Sequence, residues 1–263
     1  MGWEYLWILA VVAAVLCAVG YYKFVYFLSI GYGFAVAGIG VALVVLFHGQ
    51  MAPVHYVQCA LLAAYGARLS GFLLYREIKN AAYRKTLKEV TASEKDMPLP
   101  VKFCIWVSVT VLYVAQTSPV FFRQYNGGAA GFLPWVGCCI SLLALVLESA
   151  ADRQKSAQKA ENPHMVATKG LYKLVRCPNY LGEILFWTGV LVGSLNILSG
   201  VGQWLTAILG YVCIVLIMFN GAQRLEKRQS ARYGNDPAYR LYADKTPILI
   251  PFIPLYHLYK EEK

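Results

Sequence analysis

A chain of 263 residues with 58% apolar and 14% charged side chains, and a mean hydropathy of +0.49, is too apolar for an ordinary soluble domain. Its net charge of +10 does not mark a nucleic-acid binder, because the Lys and Arg residues sit in loops between apolar segments and not on one soluble face. The expected partner is a lipid bilayer, with no nucleic acid. Six of the seven cysteines (Cys17, Cys59, Cys104, Cys138, Cys139 and Cys213) fall inside apolar runs, and Cys177 lies in a polar loop. With no CxxC pair and no Cys/His spacing of a zinc site, reduced thiols and no metal are expected.

Seven apolar runs follow in chain order: Trp3–Tyr22, Phe24–Phe47, Pro53–Tyr75, Val101–Phe121, Phe132–Ala151, Tyr180–Leu198 and Trp204–Gln223. Each is about as long as a spanning helix, the sixth being short. Met1–Ala10 has no basic region ahead of its apolar run, so that run reads as a span and not as a cleaved signal. The expected fold is therefore all-α, a polytopic integral membrane bundle of about seven transmembrane helices. With the N-terminus outside, 22 of the 24 Lys and Arg residues fall on the inner side, which predicts a cytosolic C-terminus. The expected location is a multi-pass position in a bacterial inner membrane or the endoplasmic reticulum.

Three polar segments would form the inner face. Arg76–Pro100 reads as a helix continuing out of the third span and ending at Pro98 and Pro100. Asp152–Asn179 joins the fifth and sixth spans. From Arg224 onward, helical spacing persists to Tyr233-Gly234, and Asn235–Pro237 reads as a turn. There is no transporter-like internal repeat and no GxGxxG fingerprint of a Rossmann site.

Ionisable residues inside spans are costly and usually face a cavity or a partner. Arg68, Glu148, Asp152 and Glu183 are such residues here. Snorkelling toward headgroups is the competing explanation. Glu148 and Asp152 share a helix face, and Lys155 continues the stripe. Tyr65 and Arg68 share a face of the third span, and a phenol beside a guanidinium can serve as a proton donor. In a chain with 19 tyrosines, an ordinary buried tyrosine is the alternative.

The densest motif runs from Gly170 to Ile184. It carries a planar cation at Arg176, a carboxamide at Asn179 and a carboxylate at Glu183, with Pro178 favouring a helix start. Such a set suits a ligand bearing phosphates and an amide. It would equally serve to cap a helix and anchor it to headgroups.

The run Arg-Cys-Pro-Asn-Tyr-Leu-Gly-Glu-Ile at 176–184 resembles the C-terminal signature of the steroid 5α-reductase family, especially its bacterial-type branch. The likeness extends to Glu148–Lys155, to Glu226–Pro251, and more faintly to Tyr65–Arg68. It implies residues 1–100 as a three-span half with a cytosolic loop, and 101–263 as a reductase-like C-terminal domain. It also implies an oxidoreductase acting on the CH-CH group, using NADPH to reduce an activated C=C bond in a lipid-soluble substrate such as a steroid, an isoprenoid or an enoyl compound. Asn179 and Glu183 would meet the nicotinamide. Asp152, Lys159, Arg176 and Arg224 would lie along the adenosine and phosphates, with Tyr233 or Tyr239 nearby and Arg68, Lys155 and Tyr180 in the same cofactor set. Tyr65 falls where steroid reductases keep the tyrosine that polarises the substrate ketone. Those enzymes pair it with a glutamate from the second span; the first two spans here hold none after Glu4, and Gln50 or His48 is the nearest polar substitute. The family is distantly related to the isoprenylcysteine methyltransferases, and an S-adenosylmethionine-dependent membrane methyltransferase is the alternative. Cys177 in place of histidine, and Asn179 and Glu183 in the motif, favour the reductase.

Overall fold

The computed structural model describes residues 3–92, 97–128 and 131–259. Among these every regular element is helical. The α-helices are α1 (Trp3–Cys17), α2 (Ile30–Leu46), α3 (Pro53–Lys79), α4 (Ala81–Ala92), α5 (Leu99–Tyr125), α6 (Phe132–Glu161), α7 (Pro178–Val192), α8 (Gly200–Tyr233) and α9 (Pro237–Lys245). Short 3-10 turns cover Ala18–Tyr21, Phe24–Leu28 and Gly170–Lys173.

Four helices, α3, α5, α6 and α8, are long and apolar enough to cross a membrane, and α2 is a shorter apolar helix of 17 residues. The bilayer is the environment that suits them, since helices satisfy their own backbone where no water is present. α1 and α7 have 15 residues each. The sixth apolar run is thus not one continuous helix; its end, 193–197, turns after Val192. Of the basic residues counted above, Lys95, Lys260 and Lys263 lie outside the described residues.

The segment Arg76–Pro100 differs from the expected single helix. α3 stops at Lys79 because Asn80 takes an extended conformation, and α4 begins at Ala81. Residues 93–96 lie outside the described residues. Pro98 and Pro100 open α5 and do not close the preceding helix, because a proline in the first turn gives up no needed N–H. The expected break at Tyr233 is present, and the turn lies at 234–236, with Pro237 already opening α9: Asp236 caps α9, its carboxylate accepting from Ala238 N at 2.9 Å.

The chain divides into two compact units. The first comprises Met1–Cys138 and Val190–Tyr211. Here α2 packs on α3 so closely that a Cβ on Gly66 would lie 2.1 Å from the carbonyl oxygen of Gly33, as small residues permit between membrane helices. Ser70 Oγ donates to the carbonyl of Ile30 at 2.8 Å across the same seam. Pro119 lies inside α5, and the carbonyl of Ala115 that its missing N–H would have served accepts from Ser118 Oγ at 2.8 Å. Lys23 and Tyr26 both bind Glu77, the phenol at 2.6 Å.

The second unit comprises Cys139–Gly189 and Val212–Lys263. α6 and α8 run well past the apolar segments read in the sequence, ending at Glu161 and Tyr233. The segment after α9 folds back, with Ile248 N donating to Leu255 O at 2.8 Å, and its Ile248 and Leu249 pack with Cys177 and Ala222.

Candidate functional site

The polar end of the second unit is built from α6, α7, α8, α9 and the loop 162–177. Two glutamines one turn apart on α6 hold that loop. Gln158 Oε1 accepts from Thr168 N and Lys169 N, both at 2.9 Å, and Gln154 Oε1 accepts from Leu171 N at 2.8 Å. Gly170 makes the turn with φ 66, and a Cβ there would also strike the Gln154 amide. The loop then pairs with the returning tail, Arg176 N donating to Pro247 O and Cys177 N to Ile248 O at 2.9 Å each. Pro178 starts α7, where its fixed φ suits the first helical position.

These elements enclose a cavity of about 190 Å³. Lys155 and Lys159 reach it from α6, Arg176 from the loop, and Arg228 and Arg232 from α8. Asn179 and the rings of Tyr172, Tyr233 and Tyr242 complete the polar lining, and no carboxylate lines it among the described residues. Five cations around one small space repel each other unless an anion joins them. Arg232 also borders a second, polar cleft of about 590 Å³ that includes Asn235, Tyr239, Arg240 and His257.

Arg176 is 3% exposed. Its Nη2 donates to Glu226 Oε1 at 2.7 Å and to the Tyr256 carbonyl. Its Nε and Nη1 are buried and have no partner among the described residues. Half of the guanidinium fork is thus bound into the fold, while Nε and Nη1 make no hydrogen bond among the described residues and the Tyr239 phenol lies beside the group. Glu226 also accepts from Leu258 N (2.8 Å), Tyr259 N (2.9 Å) and His257 Nδ1 (2.9 Å), so one carboxylate ties α8, the loop and the tail together.

The phenols differ from free tyrosine. Burial pushes Tyr242 and Tyr172 well above the ordinary phenol range; the Arg176 charge opposes this at Tyr242, and the Asp152 charge adds to it at Tyr172. Tyr242 donates to the Tyr172 carbonyl at 2.7 Å. Cys177 is buried and its thiol is pushed up to about 12, which makes it an inert packing group. Lys159 Nζ contacts Tyr233 Oη at 3.1 Å and lies 5.3 Å from that ring's centroid.

Of the residues singled out in the sequence, Lys155, Lys159, Arg176, Asn179 and Tyr233 meet at the cavity. Asp152, Tyr180, Glu183, Arg224 and Tyr239 do not line it. Glu183 is buried and accepts from Trp187 Nε1 at 3.0 Å, and the Tyr180 ring packs beside Gly221 and Cys177. Gly182 lies so close to Glu148 that a Cβ would sit 2.3 Å from that side chain's Cγ, which accounts for glycine at this place in the motif. Arg224 is exposed on α8, while Tyr239 borders the second cleft. Sequence reasoning missed Arg228, Arg232, Tyr172 and Tyr242. The signal for the arginines was present, since 224, 228 and 232 form an i, i+4, i+8 stripe of which only the first member was taken.

In the first unit, Tyr65 is fully buried on α3, meets Tyr32 edge-on at 5.9 Å, and Tyr32 in turn stacks on Tyr113 at 4.8 Å. Arg68 is half-buried one turn further along α3. Gln50 is exposed in the connection before α3. Tyr65 lies twelve residues into that helix, about 18 Å along its axis, so the exposed amide and the buried phenol are set apart.

A family described as a protein of unknown function (DUF1295) matches residues 21–246. No curated protein and no solved structure matches the chain.

Proposed function

We propose, from the premise that the chain belongs to the DUF1295 family, that it is a membrane-embedded NADPH-dependent reductase of an activated C=C bond in a lipid. The observation that carries this reading is the carboxylate-free cavity with five cations, into which Arg176 brings two buried donors without acceptors. A buried donor left without an acceptor costs about 1–3 kcal/mol, and a phosphate oxygen removes that cost. The likeness of residues 176–184 to the steroid reductase signature supports the nucleotide as the phosphate's carrier.

On this reading Arg176, Lys155, Lys159, Arg228 and Arg232 hold phosphates, and Asn179 hydrogen-bonds the carboxamide. Glu183, steadied by Trp187, belongs to the nicotinamide end. When bound, NADPH supplies the hydride. Tyr65 Oη donates a hydrogen bond to the substrate's carbonyl oxygen as negative charge develops there, with Arg68 one turn further along the same helix. The burial of Tyr65 excludes water and strengthens that polarisation. We further read α1, α2 and α7 as crossings beside the four long helices, with seven spans, an outer N-terminus and a cytosolic C-terminus; the one-sided distribution of Lys and Arg supports this.

The test is thermal unfolding of detergent-purified protein. At a hundredfold excess over its dissociation constant, a ligand bound only to the folded state stabilises it by about 2.7 kcal/mol. NADPH is expected to protect and S-adenosylmethionine not to; the reverse pattern replaces the reductase with the methyltransferase. Tyr65→Phe is expected to keep NADPH protection and abolish turnover, and undiminished turnover removes Tyr65 from the site.

A further inference from the structure

α3 and α5, both within the first unit and both long and apolar enough to cross a membrane, bury a second polar cluster of a different chemistry. It contains His55 and Gln58 from α3, and Gln116 and Gln124 from α5. Their exposures are 3%, 6%, 2% and 8%. Gln124 Nε2 donates to Cys59 Sγ at 3.2 Å, so the first turns of α3 lie beside the last turns of α5. Gln116 sits two turns earlier on α5, about 12 Å along its axis, one turn after the Tyr113 that stacks on Tyr32. The cluster is therefore a file running from the ends of the two helices toward the tyrosines that surround Tyr65.

Its hydrogen-bonding capacity is left open. His55 Nδ1 accepts from Ala52 N at 3.3 Å, which places the proton of the neutral ring on Nε2, and Nε2 is directed at the backbone of Gly128. Among the described residues, Gln58 Oε1, Gln124 Oε1 and both amide atoms of Gln116 have no partner. Hydrocarbon cannot satisfy any of them. The file thus offers one open donor group and three open acceptors, none of them charged. The nearby Arg123 is already bound to the Gly193 carbonyl at 2.6 Å and to Asn196. A carbonyl would use only the donor, whereas a hydroxyl both donates and accepts.

We infer that this file binds the hydroxyl end of a long-chain lipid, with Gln58 and Gln116 as its principal contacts. The inference goes beyond the reductase reading and does not rest on it, because the binding is read without NADPH and without turnover.

The probes are hexadecanol carrying a photoreactive diazirine near its hydroxyl end and hexadecane carrying the same diazirine. Each is irradiated with the protein in phosphatidylcholine nanodiscs and the labelled peptides are mapped by mass. The alcohol is expected to label 55–65 and 113–124 at least fivefold more than the alkane, with the preference lost in Gln58→Leu and Gln116→Leu. Equal labelling of wild type by both probes overturns the inference and leaves the file as a site for water only. A preference retained in the Gln58→Leu/Gln116→Leu double variant overturns the assignment of the two amides. The wild-type comparison needs no substitution, so a variant that folds poorly leaves the inference testable.

Discussion

The buried polar file on α3 and α5 and the cationic cavity of α6–α9 each contain buried polar atoms with no hydrogen bond among the described residues, and they differ in charge. The file is neutral, amide and imidazole inside helices apolar enough to meet lipid. The cavity gathers five cations at helix ends and in a loop. The difference follows from what each environment tolerates: a neutral amide left unbonded in hydrocarbon is affordable, an uncompensated charge is not. The same contrast separates the ligands each can take, a hydroxyl in one and an anion in the other.

The strongest way to break this comparison is through the one cavity residue that is also structural. The Arg176 and Glu226 side chains are 2% and 1% exposed, and removing one partner of a buried pair costs about 3–5 kcal/mol. Arg176→Met is expected to lose that much in chemical denaturation, since it strands the carboxylate that also holds Leu258 and Tyr259. A loss below about 1 kcal/mol would mean that the tail, and not the pair, holds this corner together.

The neutral file should respond with the opposite sign. Gln116→Leu replaces an unbonded buried amide with an apolar side chain of similar size, so the unliganded protein should gain about 1–2 kcal/mol while losing the alcohol label. A loss of stability instead would show that ordered water already satisfies the amide.

Next in size is the cationic lining. Lys159→Gln and Arg228→Gln should each weaken NADPH protection about tenfold, roughly 1.4 kcal/mol, and leave the unliganded melting point unchanged. An unchanged NADPH affinity in both would detach the cavity from the cofactor.

The smallest effect is a pH dependence to which buried groups of the second unit contribute. Tyr172 and Tyr242 have phenols raised above the usual 10.0, and Cys177 a thiol raised above 9.0. The unfolded chain therefore releases these protons first, so the stability they contribute is complete below about pH 9 and declines as pH rises further. Melting points of unliganded protein between pH 7 and 10.5 should be flat and then fall. Tyr242→Phe should soften the fall, and Gln116→Leu should leave its shape unchanged.

Much of this molecule was legible in the sequence. The apolar runs located the helices, Asp236-Pro237 located the start of α9, and the 170–184 motif contained Arg176 and Asn179 of the cavity. Arg228 and Arg232 could have been read from their four-residue stripe with Arg224. Tyr172 and Tyr242 could not, because a tyrosine in a loop and another in a short helix share no spacing, and their meeting depends on how loop and α9 pack. Pro98 and Pro100 misled because proline stops a helix from within and opens one from its first turn, and sequence alone does not say which side of it the helix lies on.

The sequence by itself determined what depends on local composition: an all-helical chain with several segments suited to a bilayer, and basic residues concentrated between them. Only the tertiary structure decided which polar atoms are left without partners. Arg176 reads as a free cation in the sequence and is half consumed by Glu226 and the tail, while Gln58 and Gln116 read as unremarkable amides, and Gln58 Oε1 and both amide atoms of Gln116 are buried with no hydrogen bond among the described residues. Partnering is settled by residues 50 to 80 positions apart brought within 3 Å, and no local pattern encodes that.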